Sequence, residues 1–343
     1  MAAPPFVGRL DEADLSLPGR PLVSIVIPTL NEEHYITHLL DSLDRQTYGP
    51  DGLEILVADG GSTDRTRQLV GDFPSRFARL DIVDNPNRIT VSGLNEGMRK
   101  ATGDCWVIIG AHSEVAPDFV EQSVQSLRRT AAACVGGPIE TIGEGTFGKA
   151  IAAAMSSPFG VGDAKFRYAD EEAEVDTVPF GCYHRKVWEL VGEFDESVDG
   201  ADEDSYNARL IEAGGRIILV PEVHSSYYPR QTFRALAYQY WEYGAAKGTL
   251  LGRGRPLQPR HFAPSAMVIG GPLLVFLSRR SRIARLALRA LAGMYISTGF
   301  KAARAVAEDH DANPVLTFAA MATMHVTYGA GFIKGAISQK LGL

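Results

Sequence analysis

A doubly wound, mainly parallel α/β sheet is predicted for residues 21–250 of this 343-residue chain. Three observations predict it. Short β-branched runs alternate with segments whose apolar residues recur at helical spacing. The links between them are brief, as in successive strand–helix units. The residues that close the runs are polar, acidic or glycine-rich, and ligands on such sheets gather beyond the carboxyl ends of the strands. Composition agrees, because 45% hydrophobic and 22% charged residues describe a globular chain long enough for a sizeable core.

The elements follow in order. Residues 23–28 form a buried strand that ends in Pro28. Ile36, Leu39, Leu40 and Leu43 then lie on one face of a helix. A second strand over 54–59 is broken by Gly60-Gly61-Ser62. A third strand lies near 80–83, a helix over 91–101, and a fourth strand over 105–109. Pro117 opens a helix that runs to about 129, and 134–139 read as a fifth strand. Residues 140–178 are less regular, rich in Gly and then in acid, and read as a long connection over the cleft, either a lid or a plain excursion. Order returns over 178–192.

The tail differs from the body. Residues 251–343 hold 12 Lys/Arg and 3 Asp/Glu, a balance of +9, which leaves −16 for the remainder. An apolar segment over 263–277 contains Pro264 and Pro272 and is short for a membrane span, which needs ~20 residues. Arg279, Arg282, Arg285 and Arg289 form a basic stripe on a helix whose other side carries Ile283, Leu286, Leu291 and Met294. Such a helix lies in a membrane interface; ordinary packing of three helices is the alternative. The organisation is therefore an N-terminal extension (1–20), an α/β body (21–250) and a basic, apolar helical region (251–343). Its expected partner is an anionic membrane surface, and nucleic acid is not expected. The first 20 residues hold Asp11, Glu12 and Asp14 and no apolar core of a secretory signal, so the chain is expected in the cytoplasm, peripheral at the inner face of the cell membrane. Cys105, Cys134 and Cys182 have no close spacing and read as small buried residues rather than a disulfide or zinc set. Homo-oligomerisation is left open.

The chemistry lies at the strand ends. No Gly-x-Gly-x-x-Gly follows the first strand, and no P-loop occurs anywhere, so dinucleotide and P-loop readings lose their main support. Thr29-Leu-Asn-Glu32 closes strand one and Asp59-Gly-Gly-Ser-Thr-Asp64 closes strand two. A carboxylate there accepts from a base N–H or a ribose hydroxyl, and the glycines let a flat ring approach the backbone. Asp64 is placed to cap the next helix. Asn85 to Arg88 and Gly110 to Glu114 follow strands three and four. Farther on, Asp199-Gly-Ala-Asp-Glu-Asp204 puts four carboxylates in six positions before a helical stretch. A helix start stabilises such charge. It is also a place for a carboxylate base.

In order along residues 20–250, several linked motifs resemble the family 2 glycosyltransferases of the glycosyltransferase-A fold. They are Ser24-Ile-Val-Ile-Pro-Thr-Leu-Asn-Glu-Glu33, the 59–66 run, Gly103-Asp104, Pro117-Asp118-Phe119, Gly192-Glu-Phe-Asp-Glu196 and Glu203-Asp204. Val175 to Tyr183, Tyr228-Pro-Arg230, Gln239 to Gly244 and His325 to Gly331 are similar to the bacterial succinoglycan-type exopolysaccharide glucosyltransferases. The resemblance implies inverting transfer of a hexose from a nucleotide sugar, usually UDP-linked, to a glycan or polyprenyl-diphosphate-linked acceptor. By motif position Asp59 contacts the uracil, and Thr29 and Glu32 line the nucleoside pocket with Arg88 beside them. Asp204 is the general base and Glu203 supports it.

The chain departs from that family at the metal site. The family carries Asp-x-Asp or Asp-Ala-His after the fourth strand, where this chain reads Gly110-Ala111-His112-Ser113-Glu114. His112, Glu114 and His224 are the candidate ligands for Mn²⁺ or Mg²⁺. Three outcomes stay open. Metal binds through His112 with diphosphate oxygens and water; Arg230, Arg253 or Arg255 replaces it by gripping the diphosphate; or the chain is a degraded, non-enzymatic sugar-nucleotide-binding subunit. A sugar-phosphate nucleotidyltransferase is a further alternative, weakened by the lack of a Gly-rich, basic loop after strand one.

Overall fold

The computed structural model describes residues 7–162, 164–168, 170–197, 202–229, 231–252, 257 and 259–341. The chain divides into two compact units, one formed by residues up to 140 with 169–227, the other by 141–168 with 228–343.

The first unit is built on an α/β sheet. In chain order its strands are β1 (Val23–Thr29), β2 (Leu53–Asp59), β3 (Arg79–Asp84), β4 (Cys105–Ile108), β5 (Ser113–Val115), β6 (Cys134–Gly136), β7 (Ile139–Thr141), β8 (Ala173–Glu174), β9 (Cys182–His184), β10 (Ile217–Leu219) and β11 (Ser225–Tyr227). Eight of them make one sheet in the order β3-β2-β1-β4-β9-β6-β10-β8. β1 is parallel to β2 and β4, β2 to β3, and β6 to β10, while β9 lies antiparallel between β4 and β6. The strand order reverses at β1, which is where such sheets take ligands. β1 and β2 have helix-covered faces, so their sequences are continuous apolar runs rather than alternating ones.

The sheet is flanked by α1 (Ile36–Asp44), α2 (Thr66–Gly71), α3 (Thr90–Lys100) and α4 (Phe119–Thr130). α3 packs so closely on β1 that a Cβ at Gly97 would lie 2.4 Å from Val26 Cγ1. The 134–139 segment, expected as one strand, is two short strands in different sheets. The break falls at Gly137, where a Cβ would meet Val223 O at 1.8 Å. The three cysteines are buried and free, as their spacing predicts.

The helices α5 (Gly145–Met155), α6 (Pro158–Val161), α7 (Arg185–Val191), α8 (Asp202–Glu212), α9 (Phe233–Gly252), α10 (Ala263–Ser278), α11 (Arg282–Ala307) and α12 (Pro314–Leu341) complete the chain, with α7 and α8 in the first unit. The second unit is helical. Residues 141–168, expected as an irregular connection, instead contribute α5 and α6 to it, with Ala150 through Met155 buried. Its C-terminal segment begins at residue 228. α9 joins α12 through glycines, and a Cβ at Gly244, Gly248, Gly331 or Gly335 would lie 2.1 Å from a backbone oxygen of the facing helix. α10 and α11 instead leave large apolar side chains in the open: Ile269, Leu273 and Phe276 on one, Ile283, Leu286 and Met294 on the other. Among the described residues one helix, α12, is long and apolar enough to cross a membrane by length and composition.

Candidate active site

Two loops at the ends of β1 and β2 are laced into one floor. Asn31 turns the chain through the left-handed region (φ 55°), which a short amide side chain tolerates. Its Oδ1 accepts from Thr63 N at 2.8 Å, and its N donates to Ser62 Oγ at 2.9 Å. Gly60 N donates to Thr29 O, Glu32 N to Thr66 Oγ1 at 2.8 Å, and Glu33 N to Asp64 Oδ2 at 3.1 Å. Asp64 also takes Thr66 N and Oγ1 on its other oxygen; the N-cap position of α2 falls to Arg65, so Asp64, expected as the cap, ties the two loops from one residue before it.

Register sets Thr29, Asp59 and Asp84 level on three adjacent strands. Asp59 is 1% exposed. It accepts from Gly61 N and Ser62 N, and from Arg67 Nη1 at 2.8 Å; Arg67 also reaches Asp84 Oδ1 at 2.9 Å. Desolvation, the largest influence, pushes the Asp59 carboxyl up, but hydrogen bonds from Ser62, Arg67 and Gly61 outweigh it and hold it below its ordinary value. Arg88 is exposed, has a positive φ of 60°, and its Cα lies 3.5 Å from where a Cβ would stand on Gly60.

His112 follows β4. Its Nδ1 lies 3.4 Å from Glu32 Oε1, and its ring tilts against Tyr227 with centroids 5.4 Å apart. Both side chains of the pair keep solvent access, 34% for His112 and 22% for Glu32. Gly110 stands beside them, where a Cβ would meet only Ser113 Oγ at 3.5 Å and Phe180 Cε1 at 4.0 Å. Ser113 Oγ is buried without a hydrogen-bond partner.

Of the other expected ligands, Glu114 lies on β5 and His224 just before β11. β5 runs antiparallel to β11, with Tyr227 opposite Ser113 and Ser226 opposite Glu114. His224, whose carbonyl accepts from Ala116 N, is therefore at the opposite end of β5 from His112. Among the described residues no three His, Cys, Asp or Glu side chains gather as a metal cage. What does gather is one imidazole and one carboxylate. Two such donors would hold a divalent ion that tolerates imidazole, such as Mn²⁺, only with substrate phosphate and water completing its shell.

The expected base sits in the first turn of α8. Glu203 and Asp204 are half-buried, and both have interaction partners. The helix beneath them is fixed by aromatic packing. Tyr206 stacks on Phe194 at 4.0 Å and meets Trp106 of β4 edge-on at 5.9 Å; Trp106 stacks on Tyr183 at 4.1 Å. Asn207 takes Tyr183 OH at 2.9 Å, and Arg209 donates to Glu193 O at 2.6 Å. The expected diphosphate residues Arg230, Arg253 and Arg255, with Asp199, lie outside the described residues.

Thr29, Glu32, Asp59, Arg88 and His112 thus come together at the ends of β1 to β4. Sequence reasoning missed Arg67, which anchors Asp59, and Asn95. The buried Asn95 amide takes Phe194 N at 2.9 Å and gives to Phe194 O and Glu196 Oε1, holding the 192–196 motif under α8. The Asn95 signal was its polar side chain on the apolar face of α3. Arg67 carried no signal, since a single Arg in a helix is ordinarily solvated.

Residues 24–190 match the model of Glycosyl transferase family 2. The chain is 31% identical over 318 residues to the succinoglycan biosynthesis protein ExoA of Rhizobium meliloti, covering 90% of this chain and 93% of that one. It is 34% identical over 240 residues to a Methanococcus voltae dolichyl N-acetyl-glucosaminyl phosphate diacetamido-dideoxy-glucuronosyltransferase, covering 68% and 74%. Among solved structures, the mannosyltransferase PcManGT of Pyrobaculum calidifontis, in complex with GDP-Man and Mn²⁺, is similar with a TM-score of 0.64 at 20% identity, covering 98% of this chain and 90% of that one. A TarS fragment of S. aureus in complex with UDP-GlcNAc is similar with a TM-score of 0.51 at 18% identity, covering 93% and 92%. Strand order, polar strand ends and near full-length relatives agree: the chain belongs to glycosyl transferase family 2, and it is a glycosyltransferase of the glycosyltransferase-A fold.

Proposed function

We propose that this enzyme transfers a hexose, with inversion, from a UDP-sugar to a hydroxyl of a glycan or polyprenyl-diphosphate-linked acceptor in exopolysaccharide-type assembly, working at the cytoplasmic face of a membrane. The observation that carries the donor reading is Asp59, a buried carboxylate kept ionised at the level where β1, β2 and β3 end. An acceptor-only group there matches the imide N–H of uracil. Thr29 is level with it on β1, Glu32 follows in the loop beyond, and Arg88 Cα lies beside Gly60.

For the chemical step, Asp204 takes the proton of the acceptor hydroxyl as its oxygen attacks the anomeric carbon. The bond from that carbon to the diphosphate oxygen breaks, and the diphosphate leaves with the electron pair. Glu203 supports the base. A base of this kind contributes ~10²–10⁴-fold. Charge growing on the diphosphate is neutralised by Arg230, Arg253 or Arg255 or by a divalent ion, which supplies Lewis-acid stabilisation when bound. The exposed basic and apolar side chains of α11 support the membrane part of the reading.

A thermal-shift screen of nucleotide sugars tests the donor. A ligand at 100 times its dissociation constant adds about 2.7 kcal/mol of stability, so UDP-sugars should raise the unfolding temperature above GDP-sugars. A larger rise with guanine donors would defeat the uracil assignment.

A further inference from the structure

We propose that Glu32 and His112 form a two-residue divalent-cation site, which the donor diphosphate completes. The carboxylate that the strand-four motif lacks at Gly110 is then supplied by the loop after β1. The proposal rests on the UDP reading above.

The pair meets in a long direct contact, at a separation that a bridging ion also fits. A charge-assisted N–H···O contact closes to about 2.7–2.9 Å, as Arg67 and Asp59 do at 2.8 Å. His112 Nδ1 and Glu32 Oε1 stand at 3.4 Å. Two ligands at that separation, each about 2.1 Å from one ion, subtend about 108°, and closing by about 0.4 Å gives the ~90° of an octahedral shell. Both groups face solvent in part, so an ion has a way in. Neither is free to drift. Glu32 has its backbone N on Thr66 Oγ1, and its carbonyl accepts from Tyr35 N and Ile36 N. The His112 ring is braced by Tyr227.

Two protein donors bind such an ion weakly by themselves, because hard divalent ions keep several waters and draw the remaining ligands from substrate phosphate. Metal and nucleotide diphosphate should therefore bind together or poorly, which is a reciprocal coupling. The geometry at Gly110 provides a control. A Cβ there makes only ordinary contacts and the backbone is not left-handed, so an aspartate is accommodated and adds a carboxylate next to His112.

Calorimetric titration of the full-length protein with UDP, in EDTA and in saturating Mn²⁺, tests this, with the electron paramagnetic resonance signal of free Mn²⁺ as a second readout. Mn²⁺ should tighten UDP about tenfold or more, within the usual range of coupling, and should not tighten UMP. The free-ion signal should fall only when UDP is added. In Glu32→Gln and in His112→Ala the ratio of UDP affinities with and without Mn²⁺ should drop to about one, and Gly110→Asp in the Glu32→Gln background should restore it. Equal UDP affinity with and without Mn²⁺ in the parent, or undiminished coupling in Glu32→Gln, overturns the proposal while leaving the UDP reading intact. No UDP binding under either condition takes down both.

Discussion

Asp59 shows how a nearly inaccessible carboxyl is kept charged. Burial alone would protonate it, but Ser62, Arg67 and Gly61 supply donors that reverse the sign of the shift. Such a group binds fewer protons in the native state than in the unfolded chain. Its stabilising contribution is therefore complete above the unfolded value of about 4, and fades as pH falls through the lower native value. Asp59→Asn should lower the urea midpoint at neutral pH, with the gap to the parent closing below about pH 4; a gap of full size in stronger acid would assign the loss to packing instead. Asp204 makes the complementary case, because its proposed role is chemical. Asp204→Asn should cut turnover ~10²–10⁴-fold and leave the UDP dissociation constant in place. Unchanged turnover would falsify the base assignment.

Elements are positioned here by contrasts in side-chain size. α8 carries the acidic turn, and it is held by a rigid aromatic stack of Tyr206, Phe194, Trp106 and Tyr183 reached from β4, β9 and the 192–196 motif. α9 and α12 use the opposite device, with glycines four apart on each helix letting the backbones touch. Small residues at i and i+4 are how helices pack when close approach matters more than area. Gly248→Ala should then cost about 1–3 kcal/mol by overpacking. Gly270 in α10 has nothing within 4 Å of its absent Cβ, so Gly270→Ala should stabilise by about 0.5–1 kcal/mol through helix propensity. Thermal unfolding of the two variants separates the cases, and shifts of the same sign would defeat the packing argument.

On the scale of the whole molecule, charge and apolarity are sorted along the chain. An acidic body at −16 precedes a tail at +9. In that tail α11 exposes Ile283 (81%), Leu286 (65%) and Met294 (58%), with Arg282, Arg285 and Arg289 also exposed. The proposed anionic membrane surface would satisfy both sides of such a helix. The triple variant Arg282→Gln, Arg285→Gln, Arg289→Gln should shift the protein from pellet to supernatant in sedimentation with phosphatidylserine vesicles. Full retention on the vesicles would mean that the basic stripe does not hold the protein there.

The parallel half of the sheet is legible in the amino-acid pattern alone, because strands buried on both faces must be continuous apolar runs and must stop at polar turns. That pattern marks Thr29, Glu32 and Asp59 as strand-end residues. It also marked the basic helix at 282–289, whose spacing is local. Which of these residues meet depends on the pairing of distant strands. Glu32 and His112 are 80 positions apart and become neighbours because β4 pairs with β1. His224 is kept from them by the register of β11 on β5. The helix over Gly145–Met155 escaped notice because Gly and Ala mark a buried face only when a partner comes close enough to need small residues. Local spacing is written in one stretch of chain, whereas a site is a coincidence of distant stretches, fixed by which strands pair and in what register.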